Sequence, residues 1–475
     1  MEEQRLMITH PSRRKILLLA ALCLSAAPSA ARETPPESYR SRESPLPPPI
    51  EIPAPASRPA DLPDRPLTAG EAVEIALRHH ANVAAARAGV AGAEARLRQA
   101  EAPLKITVGT SAGHTHAERV ITEGGSGGGL GTSIGGSTVS ASGSQASATI
   151  RRLLFDSRHT RDLVRQAEAT ERGAAENVTR AEYDLALLVK LAYYTYLQNT
   201  RLVAVQESNL RNRQEQSGQA EARLKEGVGI PLDVVRGKTA IADATLNLTV
   251  ARNNAANARV SLALLMGIDP RTPIAVGEGG EPEIAADDLD KLVETALGQR
   301  PEVSQARRSV EAAQHGLNAA KSTNAPNVSA TLGLSSRSAD FPPVSTTASL
   351  GAVVTWTPFD GGVAQARRAE AQASIEATEA QLTNARQAVV AGVTQAYLNL
   401  HTAEQRVTTA EAGIANAEES LRLARGRYDA GFGTFLDVLD AQASLVTART
   451  SHVNAQAAVA QARASLAHAL GMPVR

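Results

Sequence analysis

One cysteine, Cys23, occurs in 475 residues, and it stands inside an apolar run near the N-terminus. The rest of the chain therefore works without disulfides or thiol chemistry. Aromatic residues are scarce as well, at 3%. That excludes a core of bulky layered side chains and suits long helices packed closely through alanine. No later stretch offers a run of about 18 apolar residues, so no membrane-spanning helix can be placed, and entry into a bilayer would require β-strands. Net charge is lacking too. The 49 basic and 49 acidic residues are interleaved, as on solvated helices, and leave no electrostatic ground for nucleic-acid binding.

What is present begins with an address. Arg13, Arg14 and Lys15 precede an apolar run at 16–24 and small residues at 25–31. This is the pattern of a secretory signal over residues 1–31, cut after Ala30 or Ala31. Ser12-Arg13-Arg14 also opens like a twin-arginine signal, but the pattern is incomplete and the general export route fits better. Cys23 follows Leu22, whereas a lipid-anchoring cysteine follows a small residue, so removal with the leader is expected ahead of lipid attachment. Residues 32–66 are dense in proline and read as an extended tether.

The chain is organised around 427–440, RYDAGFGTFLDVLD, where a Gly-x-Gly break interrupts dozens of helix-periodic residues. Such a break is a tight reversal between two long helices. The same construction occurs at 223–234, RLKEGVGIPLDV, 204 residues earlier. Everything around it repeats as well. The first repeat, 67–267, reads as a helix to about residue 101, a strand pair within 104–155 with a Gly/Ser-rich loop at 123–143, a helix of about 70 residues, the tip, and a last helix. Thr68 and Glu71 have capping-box spacing at its start. After a polar linker at 268–288, the second repeat, 289–472, has a helix interrupted at Arg300-Pro301, a strand pair within 327–357, a long helix, the tip and a last helix. The final helices carry four-three seams. One runs Val235, Thr239, Ala242, Leu246, Thr249, Asn253, Ala256, Val260 and Ala263. The other runs from Leu439 through Ala443, Val446, Thr450, Val453, Ala457, Ala460 and Ala464 to Ala467. In the last strand Leu350, Ala352, Val354 and Trp356 share one face, which suits lipid, with Trp356 either in an interfacial girdle or in a core.

The fold class is therefore mainly α with a small β part: long antiparallel helical hairpins, four strands, and an internal twofold repeat. Four strands cannot close a barrel alone without leaving edges that lipid does not solvate. Three copies would supply twelve, continued by a tube of helices.

No catalytic constellation, cofactor site or metal site emerges. Gly237-Lys238-Thr239 lacks the leading glycine of a phosphate loop, Leu232 standing in its place. His114 with His116, and His79 with His80 on the first helix, have no further ligands at metal spacing and read as surface histidines. The glycine run 124–131 lacks the strand-turn-helix context of a nucleotide site.

Three motifs recur in order: Pro358-Phe359-Asp360-Gly361-Gly362 at the strand-to-helix junction, Val393-x-x-Ala396-Tyr397 in the long helix, and Gly431-x-x-x-x-Leu436-Asp437-Val438 at the tip. With them the chain, over 67–472, resembles the TolC family of outer-membrane efflux proteins. The resemblance implies a homotrimeric channel in the outer membrane, with a β-barrel in lipid and an α-barrel in the periplasm. It also implies a tapered entrance that docks on a periplasmic adaptor and an inner-membrane transporter. By the same resemblance Tyr428 and Asp233 hold the entrance shut through inter-helix hydrogen bonds, and Asp437 and Asp440 form an acidic constriction. Threefold symmetry would set each carboxylate in a ring, where like charges raise one another's pKa and attract cations. Asp233 and Asp437 also stand at helix starts, where a carboxylate caps. The family pattern places an arginine where this chain has Gly433, so a lock built on that cation is missing here. Gly227, Gly229 and Leu232, with Gly431, Gly433 and Leu436, are the expected adaptor contacts. The competing reading is a trimeric tether or adhesin-like stalk in the cell envelope, which has no need of a duplicated hairpin.

Overall fold

A computed structural model describes residues 62–63, 65–121, 137–277, 288–338 and 345–472. The leader with Cys23, most of the proline-rich segment, the run 124–131 and linker residues 278–287 lie outside the described residues. The first repeat comprises α1 (Ala69–His79), α2 (Ala81–Glu101), β1 (Thr107–Ile121), β2 (Ser137–Phe155), α3 (His159–Lys225) and α4 (Pro231–Leu265). The second comprises α5 (Leu289–Gln299), α6 (Pro301–Lys321), β3 (Asn327–Ser338), β4 (Ser345–Thr355), α7 (Val363–Asp429) and α8 (Phe435–Leu470). Both α3 and α7 have 67 residues, about 100 Å of helix. Helix starts recur 220 residues apart before the strand pairs (Ala69 and Leu289) and 204 apart after them (His159 and Val363), so the stretch that holds the first pair is 16 residues longer.

Three expectations need correction. The helix expected from 67 to about 101 breaks at His80, whose backbone is extended. It closes α1 and opens α2, with Nδ1 accepting from the Asn82 amide at 3.2 Å. His80 is thus a helix cap, not a passive surface residue. The loop expected at 123–143 is shorter, because Ser137 already pairs with Ile121 and Gly143 with Thr115. Ladder bonds use only the backbone, so a Gly/Ser sequence does not prevent them. Finally, of the seam assigned to α4 only its last residue, Ala263, is buried within the chain. Val235, Leu246 and Val260 are exposed, while Asp233, Gly237, Ala244, Leu248, Ala258 and Leu262, two residues out of step, are buried.

The four strands form one antiparallel sheet in the order β1-β2-β3-β4. Its register aligns Val108, Ile150, Leu332 and Leu350 in one row across the sheet, and Ser111, Ser147, Ser335 and Thr347 in a row on the opposite face. All four members of the first row are exposed. Trp356 is exposed too, its indole N–H donating to the Asn324 carbonyl at 3.1 Å, so it is not a core tryptophan. At each strand-to-helix junction an aspartate caps the long helix: the Thr160 amide donates to Asp156 at 2.7 Å, the Ala364 amide to Asp360 at 2.8 Å.

The long helices lie side by side in the order α4, α3, α8, α7. The repeat is visible in their cores. Val189, Leu262 and Met266 are fully buried in one cluster, and Val393, Leu466 and Leu470, each 204 residues on, in the other. The α8 seam faces α3, with Ala457 and Ala464 buried and Ala460 against the first cluster.

A charged cluster fastens α8 to its neighbours. His468 Nε2 lies 2.8 Å from Asp184 Oδ1, and its Nδ1 lies 3.3 Å from Arg300 Nη1. Arg300 also donates to the His468 carbonyl at 2.6 Å and to Glu302 at 2.7 Å. Arg180 stands 3.5 Å from Asp184 and 3.6 Å from Glu302. These contacts suit a neutral ring, Nε2–H donating and Nδ1 accepting. Burial, helped by the Arg300 charge, pushes the His468 pKa below its ordinary value, against the pull of Asp184. The unfolded chain therefore binds the proton first on acidification, and stability falls as pH drops below about 6.5. Thermal midpoints measured from about pH 7.5 down to about 5 should fall, and His468→Gln should flatten that dependence. An unchanged slope would remove His468 from it.

Candidate gate at the hairpin tips

Both tips are built the same way. At the end of α3 the amides of Val228 and Gly229 donate to the Arg223 carbonyl, and Gly227 to Leu224. At the end of α7 the amides of Phe432 and Gly433 donate to Arg427, and Gly431 to Tyr428. Gly227 and Gly431 hold φ of +78° and +80°, a region that costs other residues about 1–2 kcal/mol. Gly229 and Gly433 are needed for closeness. A Cβ on Gly229 would lie 2.7 Å from the Leu224 nitrogen, and one on Gly433 would lie 3.0 Å from the Tyr428 nitrogen. An arginine at Gly433 would not fit this turn unchanged.

The expected gate residues are not one cluster within the chain. Asp437 forms a capping box with Thr434: the Thr434 amide donates to its carboxylate at 2.9 Å, and its own amide donates to Thr434 Oγ1 at 3.2 Å. The Thr434 amide and hydroxyl, with the nearby Arg427 charge, hold its carboxyl below the usual value. Asp233 is buried in the first turn of α4 at 8% exposure. Asp440 is exposed on α8 and faces the charge of Arg213, which donates to the Leu439 carbonyl at 3.3 Å. Burial draws the Arg213 guanidinium below its ordinary pKa, against Asp243 and Asp440.

Tyr428 is held by a residue that the sequence did not single out. The Arg223 guanidinium sits 4.5 Å above its ring, with Nη1 donating to the Tyr428 carbonyl and Nη2 to Asp429, each at 3.0 Å. Phe435 lies against the same ring at 5.6 Å. One arginine of the first hairpin thus closes the last turn of the second. Its legible signal was recurrence, since Arg223 and Arg427 occupy the same place in the two tips. Also overlooked were the residues between the glycines: Val228 and Phe432 are 75% and 83% exposed. Leu232 and Leu436 are partly exposed beside them.

Duplicated helical hairpins of such length, rooted in a small sheet with one apolar exposed face, define an envelope channel subunit. The chain belongs to the outer membrane efflux protein family, which it matches over residues 72–268 and 292–472. It is 29% identical over 407 residues to Protein CyaE of Bordetella pertussis, covering 84% of this chain and 82% of that one. Among solved structures it resembles the outer membrane protein VceC of Vibrio cholerae, with a TM-score of 0.71, 21% identity, and 86% and 97% of the two chains covered. It likewise resembles CusC, with a TM-score of 0.73, 20% identity, and 85% and 92% covered. It is accordingly an outer-membrane channel protein that extends into the periplasm. The family is one of transport channels, and the tether reading falls.

Proposed function

We propose that three copies assemble into one duct, the exit of a tripartite efflux or secretion system. It receives cargo from a periplasmic adaptor and an inner-membrane transporter and is gated where the tips converge. The observation that carries this is an unfinished perimeter. The sheet ends in two unpaired edges, β1 and β4, and the helix layer ends in α4 and α7. The α8 seam is covered by α3, but the matching α4 seam at Val235, Leu246 and Val260 is exposed. Likewise α6 packs on both α3 and α7 and buries Val303, Ala306, Ala312 and Ala319, whereas α2 packs on α3 and buries only Val83 and Ala93. A second copy's α7 is the surface that completes both. Mass measured in detergent should give a trimer, and a monomer that conducts ions would end this reading.

Tyr428, Asp233, Asp437 and Asp440 form the entrance in this reading, and the exposed apolar apices at Val228, Leu232, Phe432 and Leu436, set by the four tip glycines, meet the adaptor. Each gate hydrogen bond contributes only about 0.5–1.5 kcal/mol net, a scale that adaptor docking can overcome. Tyr428→Phe combined with Asp233→Ala is expected to raise conductance in planar bilayers. Unchanged conductance would take both residues out of the gate.

A further inference from the structure

Arg427 is the repeat counterpart of Arg223. Its side chain is exposed and makes no hydrogen bond among the described residues, with Asp437 near enough only to be influenced by its charge. Arg223 by contrast grips the Tyr428 and Asp429 carbonyls of α7. The long hairpins recur without insertion or deletion, His159 to Val363, Lys225 to Asp429 and Pro231 to Phe435 all being 204 residues apart. The contact of α3 on α8 and α7 inside one chain is therefore a template for the contact of α7 on the neighbouring copy. Moving Arg223 and its two acceptors forward by one repeat puts Arg427 opposite the carbonyls of Leu224 and Lys225 in the next copy. The Lys225 carbonyl is the counterpart of the Asp429 carbonyl, and within the chain it receives no donor among the described residues.

We infer that Arg427 is the clasp between copies: its guanidinium grips the C-terminal carbonyls of α3 at the partner's Leu224 and the partner's Lys225. This rests on the three-copy duct proposed above. The entrance is then ringed by arginine clasps that alternate between joints within a chain, made by Arg223, and joints between chains, made by Arg427. The two kinds of joint are unequal. Beneath Arg223 lies the Tyr428 ring, which attracts a cation through its π face. Beneath Arg427 lies the partner's Leu224, which has no such face. The joint between copies is therefore the weaker one, and the entrance parts there first. A lysine cannot replace the planar fork that spans two carbonyls.

The test uses the full chain with Cys23→Ser, so that every thiol is an introduced one. Arg427→Cys with Lys225→Cys, treated with a short bis-maleimide, should give covalent dimers and trimers on denaturing gels, and neither single variant should. In planar bilayers Arg427→Gln and Arg427→Lys should both lengthen open times about tenfold, as loss of one charge-assisted bond would. Native mass spectrometry of the unmodified chain separates the two claims. Trimers without cross-links, or Arg427 variants that gate like the wild type, overturn the clasp and leave the duct standing. Absence of trimers overturns both.

Discussion

A chain carrying Leu350→Arg is expected to be missing from the outer-membrane fraction, while Thr347→Arg, three residues away, assembles normally. Leu350 is 83% exposed and closes a row with Leu332, Ile150 and Val108, residues from all four strands that present one apolar band. In lipid an arginine near mid-barrel costs about 2–4 kcal/mol, and a trimer carries three of them. The sum rivals the whole stability of a folded domain. Thr347 lies in the opposite row with Ser335, Ser147 and Ser111, so a charge there faces water. Membrane fractionation and immunoblotting decide the matter. If the Thr347 variant fails while the Leu350 variant inserts, the two faces have been assigned the wrong way round.

The second large effect is expected at a single atom. Gly229→Ala should loosen the first tip far more than Gly433→Ala loosens the second, although both glycines occupy the same place in the repeat. The added methyl at Gly229 meets two backbone atoms, Leu224 N at 2.7 Å and Arg223 C at 2.9 Å. At Gly433 the nearest contacts are Arg427 Cβ and Tyr428 N, both at 3.0 Å, so the overlap to be relieved is smaller. Relief at Gly229 requires the backbone to open, at about 1–3 kcal/mol, and opening releases the Arg223 carbonyl that caps the turn. Limited trypsin digestion reads this out, because Arg223 and Lys225 become accessible when the turn opens. Equal cleavage of the two variants would show that the close approach at Gly229 does not hold the turn.

Much of the site was legible, but unevenly. The Gly-x-Gly breaks located both tips, since only glycine serves the left-handed position at Gly227 and Gly431. Asp437 was legible as a cap because Thr434 stands three residues before it. The role of Arg223 was not, because its partners are backbone carbonyls on another helix, and a carbonyl leaves no residue type to read. His80 was missed for a related reason. A histidine nitrogen can serve as an N-cap acceptor, but only the extended backbone there reveals that it does.

The sequence by itself determined the alternation of helix and strand and the duplication. Those follow from periodicity and glycine placement, which are local or repeat along the chain. Which seam is covered was decided by the tertiary structure alone. The α4 and α8 seams share one spacing, yet α8 lies between α3 and α7 while α4 stands at an edge. Periodicity fixes the angle of a side chain around its own helix, but a buried face also needs a neighbouring helix, and that depends on the order in which the whole chain lays its helices side by side.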